Sequence, residues 1–347
     1  MLKPVDQLGQ LYQQWSGTKV KSILPLPQSG SSRTYYRLSS GSDSAIGVFH
    51  DDDRENGAFV YFARHFRTMG LPVPEIYLAD LNNKIYLQQD LGDTMLFDLT
   101  EKVEDPDVRR LLEESLEKAV SLLPHLQVKG HINLDYDKAT PRKAFDMQSM
   151  MWDLNYFKYH FLKLSGVSFD EQKLEDDFIS LAKYLNSAPR NFFLYRDFQS
   201  RNIMVQEGKV WFIDFQGGRQ GYPAYDLASL LFDAKAGFSP ELRSRLYEKF
   251  MEQLAGLCKI DRTEFDAFYP CFVLIRKMQA MGAFGFRGLI ERKLHFLQSI
   301  PPAIENLEWL TNHYKLEINI PELWRVLRML PQSRFVEKVE QQIKHLN

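Results

Sequence analysis

Residues 192–216 read FFLYRDFQSRNIMVQEGKVWFIDFQ. Three short apolar runs, 192–195, 203–205 and 210–213, have the composition of strands, and Glu207-Gly208 supplies a turn between the last two. Polar residues gather at the ends of these runs. Asp197 follows the first, Asn202 precedes the second five residues later, and Asp214 follows the third twelve residues beyond that. A lone Asp-x4-Asn is usually a pair of polar residues in a surface turn. Strands on both sides and a second carboxylate at the next strand end make it a candidate site. One carboxylate can accept a hydroxyl proton, while an amide and a second carboxylate can hold Mg²⁺ against phosphates. That set suits phosphoryl transfer.

Upstream, the first ninety residues are short and turn-punctuated. Strands are expected at 19–24, 34–38, 45–49, 76–78 and 85–87, with a helix over 55–69 whose apolar positions are Phe59, Phe62, Ala63 and Phe66. Beyond Asp93 the pattern turns helical: Val108, Leu112, Leu116, Val120 and Leu123 share one face, as do Leu242, Leu246, Phe250, Leu254 and Leu257. The expected class is α+β, a small sheet-rich part followed by a larger helical one. Asp51-Asp52-Asp53 reads as a charge run in a solvated loop. Asp226 starts a helix with Leu227, Leu230 and Leu231 inward and reads as a cap or a structural group.

Composition narrows the function. The chain has 347 residues, 43 basic against 45 acidic, and a net charge of −2, which removes polyanion binding by bulk charge; no nucleic-acid partner is expected. Two cysteines cannot build a disulfide framework, and the eight histidines lack zinc-ligand spacing. There is no Gly-x-Ser-x-Gly or Gly-x-Gly-x-x-Gly string. The N-terminal stretch lacks the apolar run of a signal peptide, and no later run reaches the ~18 residues of a membrane span. No membrane partner and a cytoplasmic monomer are the expectations.

The strings LYRDFQSRNIMV and VWFIDFQGGRQGYPAYDLASLL resemble the core of the aminoglycoside phosphotransferase and choline kinase superfamily. With 275–284 (IRKMQAMGAF), the chain is most similar to bacterial anomeric N-acetylmuramate/N-acetylglucosamine kinases. The resemblance implies a bilobal protein-kinase-like fold, with an N-lobe at 1–90 and a helical C-lobe at 91–347. It implies ATP or GTP and Mg²⁺ as cofactors and a small-molecule sugar as acceptor. Asp197 becomes the catalytic base, Asn202 and Asp214 the metal ligands, and Tyr195 and Asp226 the supports of the loop. Ser29, Gly30, Ser31, Ser32 and Arg33 fall where the fold places its phosphate-covering loop. Gln89 and Leu91 match the segment that bonds adenine through main chain. Glu55 matches a helix carboxylate that pairs with a strand lysine.

This chain departs from the pattern in three places. The strand 45–49 reads AIGVF and has no lysine, Tyr195 replaces a histidine, and Gly217 stands where relatives carry an acid. Substrate candidates are Arg201, Gln216, Trp152, Asp153 and Arg276. The segment 276–293 holds five basic residues and one acid, Glu291, which disfavours a polycationic acceptor if it borders the acceptor site. Choline, ketosamine and aminoglycoside acceptors stay open, as does a kinase-like binding module without activity.

Overall fold

The computed structural model describes residues 3–27, 33–41 and 43–346. The chain divides into two compact units, Met1–Lys143 with Arg201–Arg219, and Ala144–Ser200 with Gln220–Asn347.

The first unit opens with a helix the sequence reading passed over, α1 (Pro4–Ser16), which starts at a proline and ends at the left-handed Gly17. Strands β1 (Ser22–Pro25), β2 (Thr34–Ser39) and β3 (Ser44–Phe49) follow, then helix α2 (Asp53–Thr68) and strands β4 (Ile76–Asp80) and β5 (Ile85–Gln89). They form one antiparallel sheet ordered β1-β2-β3-β5-β4. Pro25 is tolerated because β1 is an edge. Leu8, Leu11 and Tyr12 of α1 pack on Leu38, Ala45, Ile85 and Leu87. The close approach depends on Gly47, where a Cβ would stand 2.6 Å from Leu38 and 2.9 Å from Leu8.

The charge run is only partly a loop. Asp52 caps α2, accepting from the Arg54 and Glu55 amides at 2.9 and 3.0 Å, worth about 1 kcal/mol. Helix α2 turns Phe59 and Phe66 onto Phe215, with ring centroids 4.7 and 5.5 Å away. Helices α3 (Leu96–Thr100) and α4 (Pro106–Val128) complete the main run of this unit.

The second unit holds α5 (Met147–Phe157), continued through a π-helical turn into α6 (Lys163–Ser165), then α7 (Glu171–Asn186) and strand β6 (Phe192–Leu194). The chain next contributes hairpin β7 (Ile203–Gln206) and β8 (Lys209–Phe212) to the first unit. Its turn residues Glu207 and Gly208 have φ of 51° and 70°, the two left-handed positions of a two-residue hairpin loop. Strand β9 (Arg219–Gly221) lies beside β6. Helices α8 (Ala224–Leu231), α9 (Pro240–Leu257) and α10 (Arg262–Phe284) follow, then a π-helical segment Gly285–Ile290 and α11 (Leu294–Leu297), α12 (Ile300–His313), α13 (Pro321–Met329) and α14 (Arg334–Leu346). Among the described residues no helix is long and apolar enough to cross a membrane.

Candidate active site

The candidate residues fall into two groups, one in each unit. In the first unit the register Ile203↔Phe212 leaves Asn202 and Asp214 at the open end of the β7–β8 hairpin, and the Ile213 amide donates to the Asn202 carbonyl at 3.0 Å. Asp214 takes a left-handed φ of 67°, and Gln216 Nε2 donates to its Oδ1 at 2.8 Å.

Arg33 supplies what strand β3 lacks. Its guanidinium is 1% exposed and reaches Glu55 Oε2 at 3.0 Å and Asp214 Oδ1 at 3.5 Å. His50 Nε2 lies 3.1 Å from the same Glu55 oxygen. Glu55 thus has a cationic partner, an arginine entering β2 instead of a lysine on β3. The ladder explains the substitution: Thr34 faces Phe49, so one step back Arg33 faces His50. A signal was available in the hairpin register but not in the composition of one strand. Tyr35, buried beside this cluster, has its phenol pushed up to about 12 by burial and then by the Asp214 charge.

The donor set fits a hard divalent cation. Asn202 and Asp214 offer only oxygen, and the buried Gln216 Oε1 has no hydrogen-bond partner. Among the described residues no group of three or more His, Cys, Asp or Glu is placed to hold a metal ion.

Of the other first-unit candidates, Arg201 lies 4.1 Å over the ring of Phe97. The Gln89 amide donates to Glu75 O at 2.8 Å, so it is not available to a base. Leu91 is buried. Ser29, Gly30, Ser31 and Ser32 lie outside the described residues.

In the second unit the loop after β6 is tied down on several sides. Asp226, fully buried, accepts from the Tyr195 amide at 2.8 Å and the Arg196 amide at 2.9 Å, one with each carboxylate oxygen. Arg196, at φ 85°, makes a bidentate pair with Asp153 at 2.6 and 2.7 Å and meets the Tyr225 hydroxyl at 2.7 Å. Burial opposes the charge on Arg196, but Asp153 outweighs it and its pKa rises. Ser200 donates through N and Oγ to Asp233 at 3.2 and 2.5 Å. Tyr195 is buried edge-on against Phe198.

Within this scaffold Asp197 presents a carboxylate 42% exposed, with Arg276 Nη2 at 3.7 Å. Asp153 and Arg276, expected to face an acceptor, are internal. Trp152 is exposed. The basic segment is only in part a solvated face, with Arg292 and Lys293 exposed. Arg276 and Lys277 are buried, and Arg287 and Lys293 both pair with Glu291 at 3.6 and 2.9 Å.

A family model described as "Phosphotransferase enzyme family" matches residues 22–268. The chain belongs to that family. It is accordingly a phosphotransferase acting on a hydroxyl. Its curated relatives include N-acetylmuramate/N-acetylglucosamine kinases of Caulobacter vibrioides (26% identity, 70% of this chain and 67% of the relative) and Pseudomonas aeruginosa (26%, 92% and 91%). That of Neisseria meningitidis is also 26% identical, over 70% of this chain and 71% of its own. Among solved structures, choline kinase LicA from Streptococcus pneumoniae has a TM-score of 0.57 at 13% identity, covering 88% of this chain and 100% of LicA. Amicoumacin kinase hAmiN has 0.62 at 13%, covering 93% of this chain and 100% of its own. These likenesses establish the kinase-like α+β fold that the sequence implied.

Proposed function

We propose that this phosphotransferase moves the γ-phosphoryl group of ATP to a sugar hydroxyl, the anomeric hydroxyl of an N-acetylated hexosamine. The carrying observation is Asp197, an accessible carboxylate on a loop otherwise fixed by Asp226, Asp153 and Asp233. The acceptor hydroxyl oxygen attacks the γ-phosphorus, its proton passes to Asp197, the β–γ bridging P–O bond breaks and ADP departs. Asn202, Asp214 and Gln216 would hold Mg²⁺, which when bound would neutralise phosphate charge. Arg33 and Glu55 keep the Asp214 carboxylate in place. Gln89 offers its carbonyl to the base beside Leu91.

The sugar assignment is supported by three relatives that carry the N-acetylmuramate/N-acetylglucosamine kinase name. Charge adds less support than composition suggested, because most cations of segment 276–293 are buried or paired. The test is a turnover screen with ATP and Mg²⁺ over N-acetylmuramate, N-acetylglucosamine, choline, a ketosamine and kanamycin. Turnover is expected with the N-acetylhexosamines. Turnover confined to choline or kanamycin would contradict the acceptor, and no turnover with any compound would favour a binding module.

A further inference from the structure

Arg276 is a buried cation that mechanism alone does not demand. It sits on α10 with its side chain 8% exposed. Its Nε donates to Ser229 Oγ of α8 at 2.8 Å, and Nη1 donates to Gln279 Oε1 at 2.6 Å. The guanidinium also lies 6.0 Å over the Tyr225 ring, whose hydroxyl receives Arg196. Two of its three nitrogens are thereby spent on fixed neutral acceptors. The third, Nη2, meets the Asp197 carboxylate.

Burying a guanidinium costs several kcal/mol before its partners offset it, and a methionine would fill such a space more cheaply. The neighbourhood adds a second buried cation: Lys277, next in sequence, is buried with Nζ on the Phe232 carbonyl at 3.2 Å. Two neutral clamps and a ring leave a planar fork little freedom, so its charge is held 3.7 Å from the Asp197 carboxylate, an ion-pair separation longer than a hydrogen bond. A rigid cation beside one carboxylate oxygen favours the rotamers that keep the two charges together.

We infer that Arg276 is a positioning residue: tethered by Ser229 and Gln279, it holds the Asp197 carboxylate in the orientation that meets the acceptor hydroxyl, and it does not itself bind the sugar. This rests on the reading of Asp197 as the base. The position of a reacting group is worth up to about 10²-fold when it slips by an ångström.

The test compares Arg276→Gln, Arg276→Lys and Ser229→Ala with Asp197→Asn, each checked for folding by thermal melting. Kinetics use ATP and N-acetylglucosamine, and a crystal structure of Arg276→Gln reports the Asp197 side chain without any acceptor. Arg276→Gln is expected to lower kcat by about 10–100-fold with the acceptor KM unchanged, and Asp197 is expected to leave its present rotamer. Arg276→Lys should recover part of the loss, since it keeps charge without the fork. Ser229→Ala should fall between wild type and Arg276→Gln. An unmoved Asp197 in the crystal, or a raised acceptor KM at normal kcat, would overturn the inference. If Asp197→Asn itself turned over normally, the base assignment would fail instead.

Discussion

Arg196 and Asp214 are both non-glycine residues in the left-handed region, at φ 85° and 67°. Such positions cost about 1–3 kcal/mol each, and here each is held by a carboxylate or amide network at the candidate site. Asp214→Asn keeps a side chain that tolerates this backbone but removes a charge from the cation site. It should abolish Mg²⁺-dependent turnover and weaken Mg²⁺-nucleotide binding by calorimetry; unchanged binding would remove the metal role. Asp197→Asn should lower kcat by about 10²–10⁴ with ATP-analogue affinity preserved. Arg33→Met should weaken the same Mg²⁺-nucleotide binding, because Glu55 and Asp214 lose their shared cation; normal binding would show that the pair is only structural. Asp197, Asn202 and Asp214 could be picked out from their spacing together with the flanking strands, which set them near strand ends. The Arg33–Glu55 pair could not, because it depends on which strands are neighbours.

Two glycines separate packing from propensity at the level of elements. Gly285 begins the π-helical segment after α10, and a Cβ there would stand 1.9 Å from the His160 carbonyl oxygen. Backbone cannot step aside as a side chain tip can. Gly285→Ala should therefore destabilise by about 1–3 kcal/mol or more, read as a lower Tm. Gly57 lies inside α2 with nothing within 4 Å of the same atom. Gly57→Ala should stabilise by about 0.5–1 kcal/mol, and a loss there would show that α2 needs its flexibility.

The elements themselves were unevenly legible. Strands β2, β3 and β5, helix α2 and the hairpin follow directly from alternation, caps and a turn dipeptide. Helix α1 carries a signal too, Pro4 at its start and Leu8, Leu11, Tyr12 and Trp15 on one face, though Gly9 and its glutamines blunt it. The π-helical segments 158–162 and 285–290 leave no composition signal, because they arise where two helices pack around small residues.

At the scale of the whole molecule, Lys277 is a buried cation that ties stability to pH. Burial first, then the Arg243 charge, bring its pKa down to about 7, while Asp233 acts the other way and Arg276 adds to the lowering. Between that value and the ordinary lysine range, the unfolded chain binds a proton that the folded chain does not. Stability contributed by this site therefore rises with pH across that window and is lowest below it. Lys277→Met should be more stable than wild type at pH 6, and the gap should narrow by pH 9.5. A gap independent of pH in urea titrations would show that Lys277 is not the titrating group.

The family and the fold were legible from motif strings, but the acceptor was not, since two of the five cations of segment 276–293 are buried and two more pair with Glu291. That choice is settled by the position of the transferred phosphate. Phosphorus NMR of the product formed from ATP, Mg²⁺ and N-acetylglucosamine should show a single phosphorus coupled to the anomeric proton. Coupling to the C6 protons, or no sugar phosphate at all, would contradict the account.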